Sequence, residues 1–236
     1  MSVVLITTAN SPPSGVPHLR LDQPGPRRVA ALGAIMFWAL SGIKKIVIAD
    51  ATASKLFGDN DSLWVADLGV ELEQICYQQD TELIRQRGKG YGEARLLEYA
   101  LNTSRLINSE SSFYKCTGKV YCRNFAEIID WQVKRNLSNC FWQHFDDRVG
   151  FNAGYVDTRF FYTSREYAGS ELIPALLHAD DRRQAVENCC YNLLVASRAM
   201  FTAPRPRLSG LAGGSGQYYS EHDLGYLESN YPAWFW

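Results

Sequence analysis

The chain has 236 residues, of which 46% are hydrophobic and 13% aromatic, so it is long enough to bury the core of one sizeable domain. Lys and Arg number 24 and Asp and Glu 25, and the resulting net charge of −1 excludes a global positive field that would recruit nucleic acid or an anionic membrane. The six cysteines form no Cys-x-x-Cys pair and the four histidines are scattered, a pattern that predicts free thiols.

Neither a basic leader nor a long apolar segment is found among the first residues, so no signal peptide is predicted. The longest strongly apolar run, residues 29–43, is interrupted by polar and glycine residues and is too short to cross a bilayer. We therefore expect a cytoplasmic protein.

The first fifty residues have the pattern of a βαβ unit. An apolar strand is predicted over residues 3–7 and a second strand over residues 45–50. Between them, Pro26 suits the first turn of a helix over residues 27–40, and Gly42 suits its C-terminal stop. Two strands joined through a helix predict a parallel pair in an α/β sheet.

Polar residues follow both of these strands. Thr7, Thr8 and Asn10 come at the end of the first strand, and Asp50 ends the second. Because ligands of α/β proteins bind at the carboxyl edge of the sheet, these residues are candidate nucleotide contacts. Turn formation in the Asn-Ser-Pro-Pro segment, and capping of the following segment by Asp50, are the structural alternatives.

A glycine-rich segment, residues 88–95, precedes apolar positions at helical spacing. It predicts a helix whose free N–H groups face a glycine turn, an arrangement that binds anions. Lys89 and the amides of Gly90 and Gly92 are therefore candidate ligands of a phosphate group. A solvated glycine-rich turn without a ligand is the alternative.

The order of a third strand over residues 73–78, this glycine-rich turn with Arg95, and a further strand resembles the GT-A, or nucleotide-diphospho-sugar transferase, fold of bacterial glycosyltransferases. Phe151-Asn152-Ala153-Gly154 with Asp157 and Arg159 is similar to the strand through which such enzymes contact sugar and acceptor. The resemblance implies donor-binding roles for the edge and glycine-turn residues and acceptor-binding roles for Asn152, Asp157 and Arg159.

The segment from Asp180-Asp181-Arg182 to Glu187 resembles the acidic turn and helix that carry the late carboxylate of these enzymes. The resemblance implies Glu187 as the general base, with Asp181 as the alternative. As a whole the chain is similar to small glycosyltransferase-like proteins of O-antigen, that is lipopolysaccharide, and capsular polysaccharide synthesis.

Thr117-Gly118-Lys119 stands where most GT-A enzymes have the Asp-x-Asp that holds Mg²⁺ or Mn²⁺. Strand alternation would send Lys115, Thr117 and Lys119 to one face, beside the donor phosphates. We therefore expect side-chain cations, with Lys89 and one arginine of residues 203–207, to replace the ion, so that activity survives chelation. No cofactor is predicted on this account.

The alternative is that Mg²⁺ or Mn²⁺ is still held by a carboxylate. The candidates are Asp157 and the pairs Asp146-Asp147 and Asp180-Asp181, although each pair lies near a loop or helix start and is typical of helix capping.

The βαβ pattern predicts an α/β domain, and the resemblance implies that it is a single domain of GT-A type, with a mainly parallel central sheet flanked by helices over residues 1–200. Residues 201–236 are expected to form a C-terminal loop and aromatic tail packed on the same domain. The tail ends in Trp234-Phe235-Trp236, which suits either a groove of the protein or peripheral contact with a membrane.

The predicted function is transfer of a sugar from a nucleotide-sugar donor to a saccharide acceptor, including a lipid-linked one. The alternatives are a sugar nucleotidyltransferase and a non-catalytic binding subunit of the same fold. No nucleic-acid partner is expected, because the net charge is close to zero.

Overall fold

The computed structural model describes residues 3–14, 21–58, 63–146, 150–195, 197, 199–211 and 218–219. The strands are β1 (Val3–Thr8), β2 (Lys45–Asp50), β3 (Glu71–Cys76), β4 (Ser112–Thr117), β5 (Val120–Cys122), β6 (Phe141–Asp146), β7 (Gly150–Val156), β8 (Phe160–Ser164), β9 (Met200–Phe201), β10 (Leu208–Leu211) and β11 (Tyr218–Tyr219). The helices are α1 (Pro24–Leu40), α2 (Leu63–Asp67), α3 (Thr81–Arg87), α4 (Lys89–Thr103), α5 (Arg105–Asn108), α6 (Phe125–Lys134), α7 (Arg165–Tyr167), α8 (Ile173–Leu176) and α9 (Val186–Leu194), with a π-helical turn at Ala168–Leu172 between α7 and α8.

The central sheet has five strands in the order β3-β2-β1-β4-β8. The first four are parallel to one another, and β8 is antiparallel to β4 at the edge. The predicted βαβ unit and the predicted α/β fold with a mainly parallel, helix-flanked sheet are confirmed. Two smaller three-stranded sheets, β11-β10-β5 and β7-β6-β9, adjoin it.

Alternating side chains of β1 enter two separate cores, as the period-two geometry of a strand requires. Val3 and Leu5 pack with residues of α4, α5, α8 and α9, whereas Val4 and Ile6 pack with residues of α1 and α6. Both sheet faces are therefore covered, which explains why β1 is buried at every position.

Several boundaries differ from the predicted ones. Helix α1 begins at Pro24, because a proline is tolerated in the first helical turn. Strand β3 lies two residues earlier than predicted. The segment from Phe151 to Arg159, which the sequence likens to one strand, consists of β7 and the turn that leads to β8. Part of the predicted C-terminal loop is a strand, since β10 pairs with β5.

Among the described residues no helix has both the length and the apolar character needed to cross a membrane. The aromatic tail, residues 231–236, lies outside the residues that the structure describes.

Candidate functional site

A cavity of about 440 Å³ opens at the carboxyl edge of the central sheet. Its wall is formed by the ends of β1 and β4, the turn before β8, and the N-terminal turns of α4 and α9. The predicted site residues that line it are Thr7, Thr8, Lys89, Gly90, Gly92, Thr117, Lys119, Asp157, Arg159 and Glu187. Residues far apart in the sequence meet here because parallel strands end at the same edge.

Lys119 is the most unusual of these residues. Its side chain lines the cavity although the residue is only 5% exposed. Within the described part of the chain, no hydrogen bond or ion pair engages its ammonium group. Burial, reinforced by the positive charge of Arg27, lowers the pKa of Lys119 to about 7. The charge of Glu93 opposes this shift in part, and an anion in the cavity would supply the direct partner that the described residues do not.

Glu93 lines the same cavity as Lys119 and was not predicted as a site residue. Its Oε1 accepts a hydrogen bond from the Thr7 hydroxyl at 3.0 Å and a longer one from the Thr117 hydroxyl at 3.4 Å, and it forms an ion pair with Lys115. The spacing of the sequence could have identified Glu93 as a site residue. Glu93 follows Lys89 by four positions, so that both residues lie on one face of α4.

Lys115 is fully buried and is committed to the protein's own contacts. Besides the ion pair with Glu93, its ammonium donates to the Thr158 carbonyl at 2.6 Å and to the Thr117 hydroxyl at 3.1 Å. The prediction that Lys115 flanks a donor phosphate together with Lys119 is therefore wrong. Strand β4 ends at Thr117, so Lys119 lies in the turn beyond it and reaches the cavity from there.

Glu187 lies in the first turn of α9 and also lines the cavity. Burial is the main cause that raises its pKa, and the nearby negative charge of Glu93 acts in the same direction. A carboxyl group with a raised pKa exchanges protons closer to neutral pH, which is a property of general acids and bases. Its catalytic role stays a prediction.

Asp157 and Arg159 form a two-pronged ion pair on the cavity wall. The guanidinium Nε lies 2.8 Å from Oδ1 and Nη2 lies 2.6 Å from Oδ2 of the carboxylate. Burial on its own would raise the pKa of Asp157, but the adjacent Arg159 charge outweighs it and lowers the pKa to about 2. Asp157 is therefore an ionised partner of Arg159 at every physiological pH.

Asp50 and Asn10 belong to the loop structure and not to the cavity wall. The Asp50 carboxylate accepts hydrogen bonds from the backbone amides of Asn10 at 2.9 Å, Thr52 at 2.7 Å and Ser54 at 3.1 Å. With these donors and the Thr52 hydroxyl it fixes two loops at the sheet edge. Capping accounts for the position of Asp50. Neither residue lines the cavity, so the nucleotide contacts predicted for Asp50 and Asn10 gain no support from it.

The glycine-rich segment is not a loop before a helix. Helix α4 begins at Lys89, so Gly90 and Gly92 are helical residues. A Cβ atom would lie 2.9 Å from Val186 at Gly90 and 2.8 Å from Ile84 at Gly92, so close packing between helices explains both glycines. The start of the helix already has an anion, because the Asp181 carboxylate accepts from the Lys89 amide at 2.9 Å.

Asp181 is thus a helix cap and does not line the cavity, which argues against it as the base. Arg95 is also displaced from the site, since it pairs with Glu98 on the outer side of α4. Gly118 is not among the residues that line the cavity, and its amide donates to the Thr7 carbonyl at 2.7 Å. The cavity therefore gives no support to the donor contacts predicted for Arg95 and Gly118.

The remaining predicted residues give no added support to a metal centre. The side chain of Asn152 and those of the Asp146-Asp147 pair lie outside the described part of the structure. Neither Arg205 nor Arg207 is among the residues that line the cavity. No group of three or more His, Cys, Asp or Glu side chains that could hold a metal ion occurs within the described ranges. With Asp157 held by Arg159 and Asp181 by α4, the described residues do not fit the Mg²⁺ or Mn²⁺ site of GT-A enzymes.

Arg27 is a further cavity residue that the sequence did not reveal. Its guanidinium donates to the backbone carbonyls of Ala9 and Leu21, and it is 4% exposed. Burial lowers its pKa, while the charge of Asp50 opposes that shift. Arg27 thereby holds the loop after β1 against α1 and adds positive charge next to Lys119.

The comparisons with known proteins show little at the level of sequence. No family model and no protein of curated function matches the chain. Among solved structures, the fold is similar to the crystal structure of 4-diphosphocytidyl-2C-methyl-D-erythritol synthase from Anaerococcus prevotii, at 9% identity and a TM-score of 0.42. That likeness covers 97% of this chain and 95% of the other. A likeness of this degree carries no information on activity or substrate, and none of the comparisons supports a link to O-antigen or capsule synthesis.

Proposed function

We propose that the chain is a transferase that binds a nucleotide sugar in this cavity, holds its phosphates against Lys119, and transfers the sugar to an acceptor hydroxyl. The observation that carries the proposal is the buried Lys119 ammonium at the carboxyl edge of a parallel sheet, which has no hydrogen-bond or ion-pair partner among the described residues. A buried cation without a partner is costly, and a phosphate group offers the charge and the acceptor oxygens that relieve this cost.

Two further features agree with this function. Lys89 lies exposed at the rim of the cavity and adds a second cation for a diphosphate. Glu187 on the opposite helix offers a carboxylate of raised pKa that would accept the proton of an attacking hydroxyl. A volume of about 440 Å³ is within the range that small-molecule sites occupy.

Nucleotidyl transfer to a sugar phosphate is the second candidate. Besides Arg159, which is paired with Asp157, the described cavity lining has three cationic side chains, Lys89, Lys119 and Arg27. This positive charge also suits a reaction in which both substrates carry phosphate. The two activities differ in their products. Sugar transfer releases a nucleoside phosphate, whereas nucleotidyl transfer run in reverse with pyrophosphate yields a nucleoside triphosphate.

The test is a thermal-shift and titration panel with UDP, GDP, dTDP and CMP and their sugar derivatives. We expect one nucleotide class to raise Tm, and Lys119→Met to weaken its binding about tenfold to a hundredfold, the range for a lost hydrogen bond to a charged group. Lys134→Met is the matched control, because Lys134 is an exposed helix residue paired with Asp130. If no nucleotide stabilises the wild-type protein, or if Lys119→Met binds as well as Lys134→Met, the proposal is wrong.

A further inference from the structure

The contacts of Glu93 are confined to one of its two carboxylate oxygens. Thr7, Thr117 and Lys115 all approach Oε1. Within the described part of the chain, no hydrogen bond or ion pair engages Oε2. Because the side chain is 25% exposed and lines the cavity, this second oxygen is available to a ligand.

The charge state of this carboxylate is also defined. Burial alone would raise the pKa of Glu93, but the Lys115 ammonium and the threonine hydroxyl bring it below its usual value. At neutral pH the group is therefore ionised and can only accept hydrogen bonds. Its orientation is fixed by three donors from β1 and β4, so little rotamer entropy is lost when a ligand binds.

The position of the Glu93 carboxylate in the cavity limits which part of a ligand it can contact. The pKa of Glu93 responds to the charge of Lys119, and the pKa of Glu187 responds to the charge of Glu93, so the carboxylate lies within electrostatic reach of both. A phosphate would be repelled by it. In a nucleotide sugar the reacting carbon is bonded directly to a phosphate oxygen, so phosphates at Lys119 bring that carbon and the sugar ring into the same cavity as Glu93 and Glu187. Sugar hydroxyls are hydrogen-bond donors.

We propose that Glu93 binds a hydroxyl group of the sugar moiety through Oε2 and is a specificity-determining residue of the site. This proposal rests on the proposed function, since it names the subsite for the sugar within the same cavity. It assigns Lys119 to the phosphate groups and Glu93 to the adjoining sugar of one ligand.

The test compares a nucleoside diphosphate with its nucleotide sugar on one variant. Glu93→Gln alone would leave the Lys115 ammonium buried without its counter-charge, so the variant to use is Glu93→Gln with Lys115→Met, which removes the pair together. Glu98→Gln is the matched control, because Glu98 lies on the same helix but pairs with Arg95 away from the cavity. Tm without ligand and far-UV circular dichroism verify that each variant folds.

In the double variant we expect the nucleotide sugar to bind about tenfold to a hundredfold more weakly, while the nucleoside diphosphate binds as it does to the wild type. A nucleotide sugar that lacks the recognised hydroxyl should show no such loss. Equal weakening of both ligands, or weakening of neither, would overturn the assignment of Glu93 in a protein whose nucleotide binding is intact. Failure of the proposed function has a different signature, because the wild-type protein would then bind neither ligand.

Discussion

At the scale of single residues, the site combines charged side chains that are paired with each other and one buried cation, Lys119, that has no ion-pair partner among the described residues. Asp157 and Arg159 neutralise each other, and Glu93 neutralises Lys115. Lys119 remains as a buried cation without an ion-pair partner in the described part of the chain. Such a residue reduces stability in the absence of ligand and is the type of strain that binding sites retain.

The pH dependence of stability should reveal this cost. The pKa of Lys119 is about 7 in the folded protein and near 10.5 when unfolded, so between these values the unfolded chain binds more protons and stability rises with pH. Lys119→Met should therefore raise Tm most at or below about pH 7, and the gain should shrink as pH rises toward 10. Thermal unfolding of Lys119→Met between about pH 7 and 10 measures this gain in Tm, with Lys134→Met as the control. A gain that is independent of pH would show that Lys119 keeps an ordinary pKa.

At the scale of elements, helix α4 organises the site. One of its faces carries Lys89, Glu93 and Leu96 to the cavity, and its first turn fits between α3 and α9 because Gly90 and Gly92 have no side chains. Asp181 fixes the start of the helix through the Lys89 amide. The anion that the glycine-rich sequence predicted at this helix end is thus a carboxylate of the protein itself.

Substitution of Asp181 tests this role. Asp181→Ala removes a cap and should lower the free energy of unfolding by about 0.5 to 2 kcal/mol, whereas Asp181→Asn keeps an acceptor oxygen and should lose less. Urea denaturation measures both values. Nucleotide affinity of Asp181→Asn should stay close to that of the wild type. An Asn variant that is stable and binds nucleotide but has no turnover would instead identify Asp181 as the base.

At the scale of the whole molecule, the cavity depends on the junction of the central sheet with the small sheet β5-β10-β11. Gly118 forms that junction, since its amide binds the Thr7 carbonyl and the chain then turns from β4 into β5. A Cβ atom at Gly118 would lie 2.7 Å from the Thr8 side chain and 2.8 Å from the Thr7 carbonyl oxygen. The close approach leaves no room for a side chain.

Gly118→Ala should therefore destabilise the fold by about 1 to 3 kcal/mol, the usual cost of overpacking. Gly33→Ala is the matched control, because Gly33 lies exposed within α1 with nothing within 4 Å of its added Cβ. That change should stabilise the protein by roughly 0.5 to 1 kcal/mol, since alanine favours a helix. Chemical denaturation of both variants gives the comparison, and equal stability of the two would contradict the close packing at Gly118.

The sequence by itself determined the βαβ unit, the mainly parallel sheet and the position of the cavity edge. These follow from local hydrophobic periods and from the rule that parallel strands end together. It also identified Lys119 and Glu187 as cavity residues.

Only the tertiary structure decided which charges remain available to a ligand. The carboxylates of Asp50 and Asp181 accept hydrogen bonds from backbone amides, and the ammonium of Lys115 forms an ion pair with Glu93. Partners of this kind are distant along the chain, as Thr7 and Glu93 are, which lie 86 positions apart. No local pattern encodes such pairings, because they form only when packing brings separate strands and helices into contact.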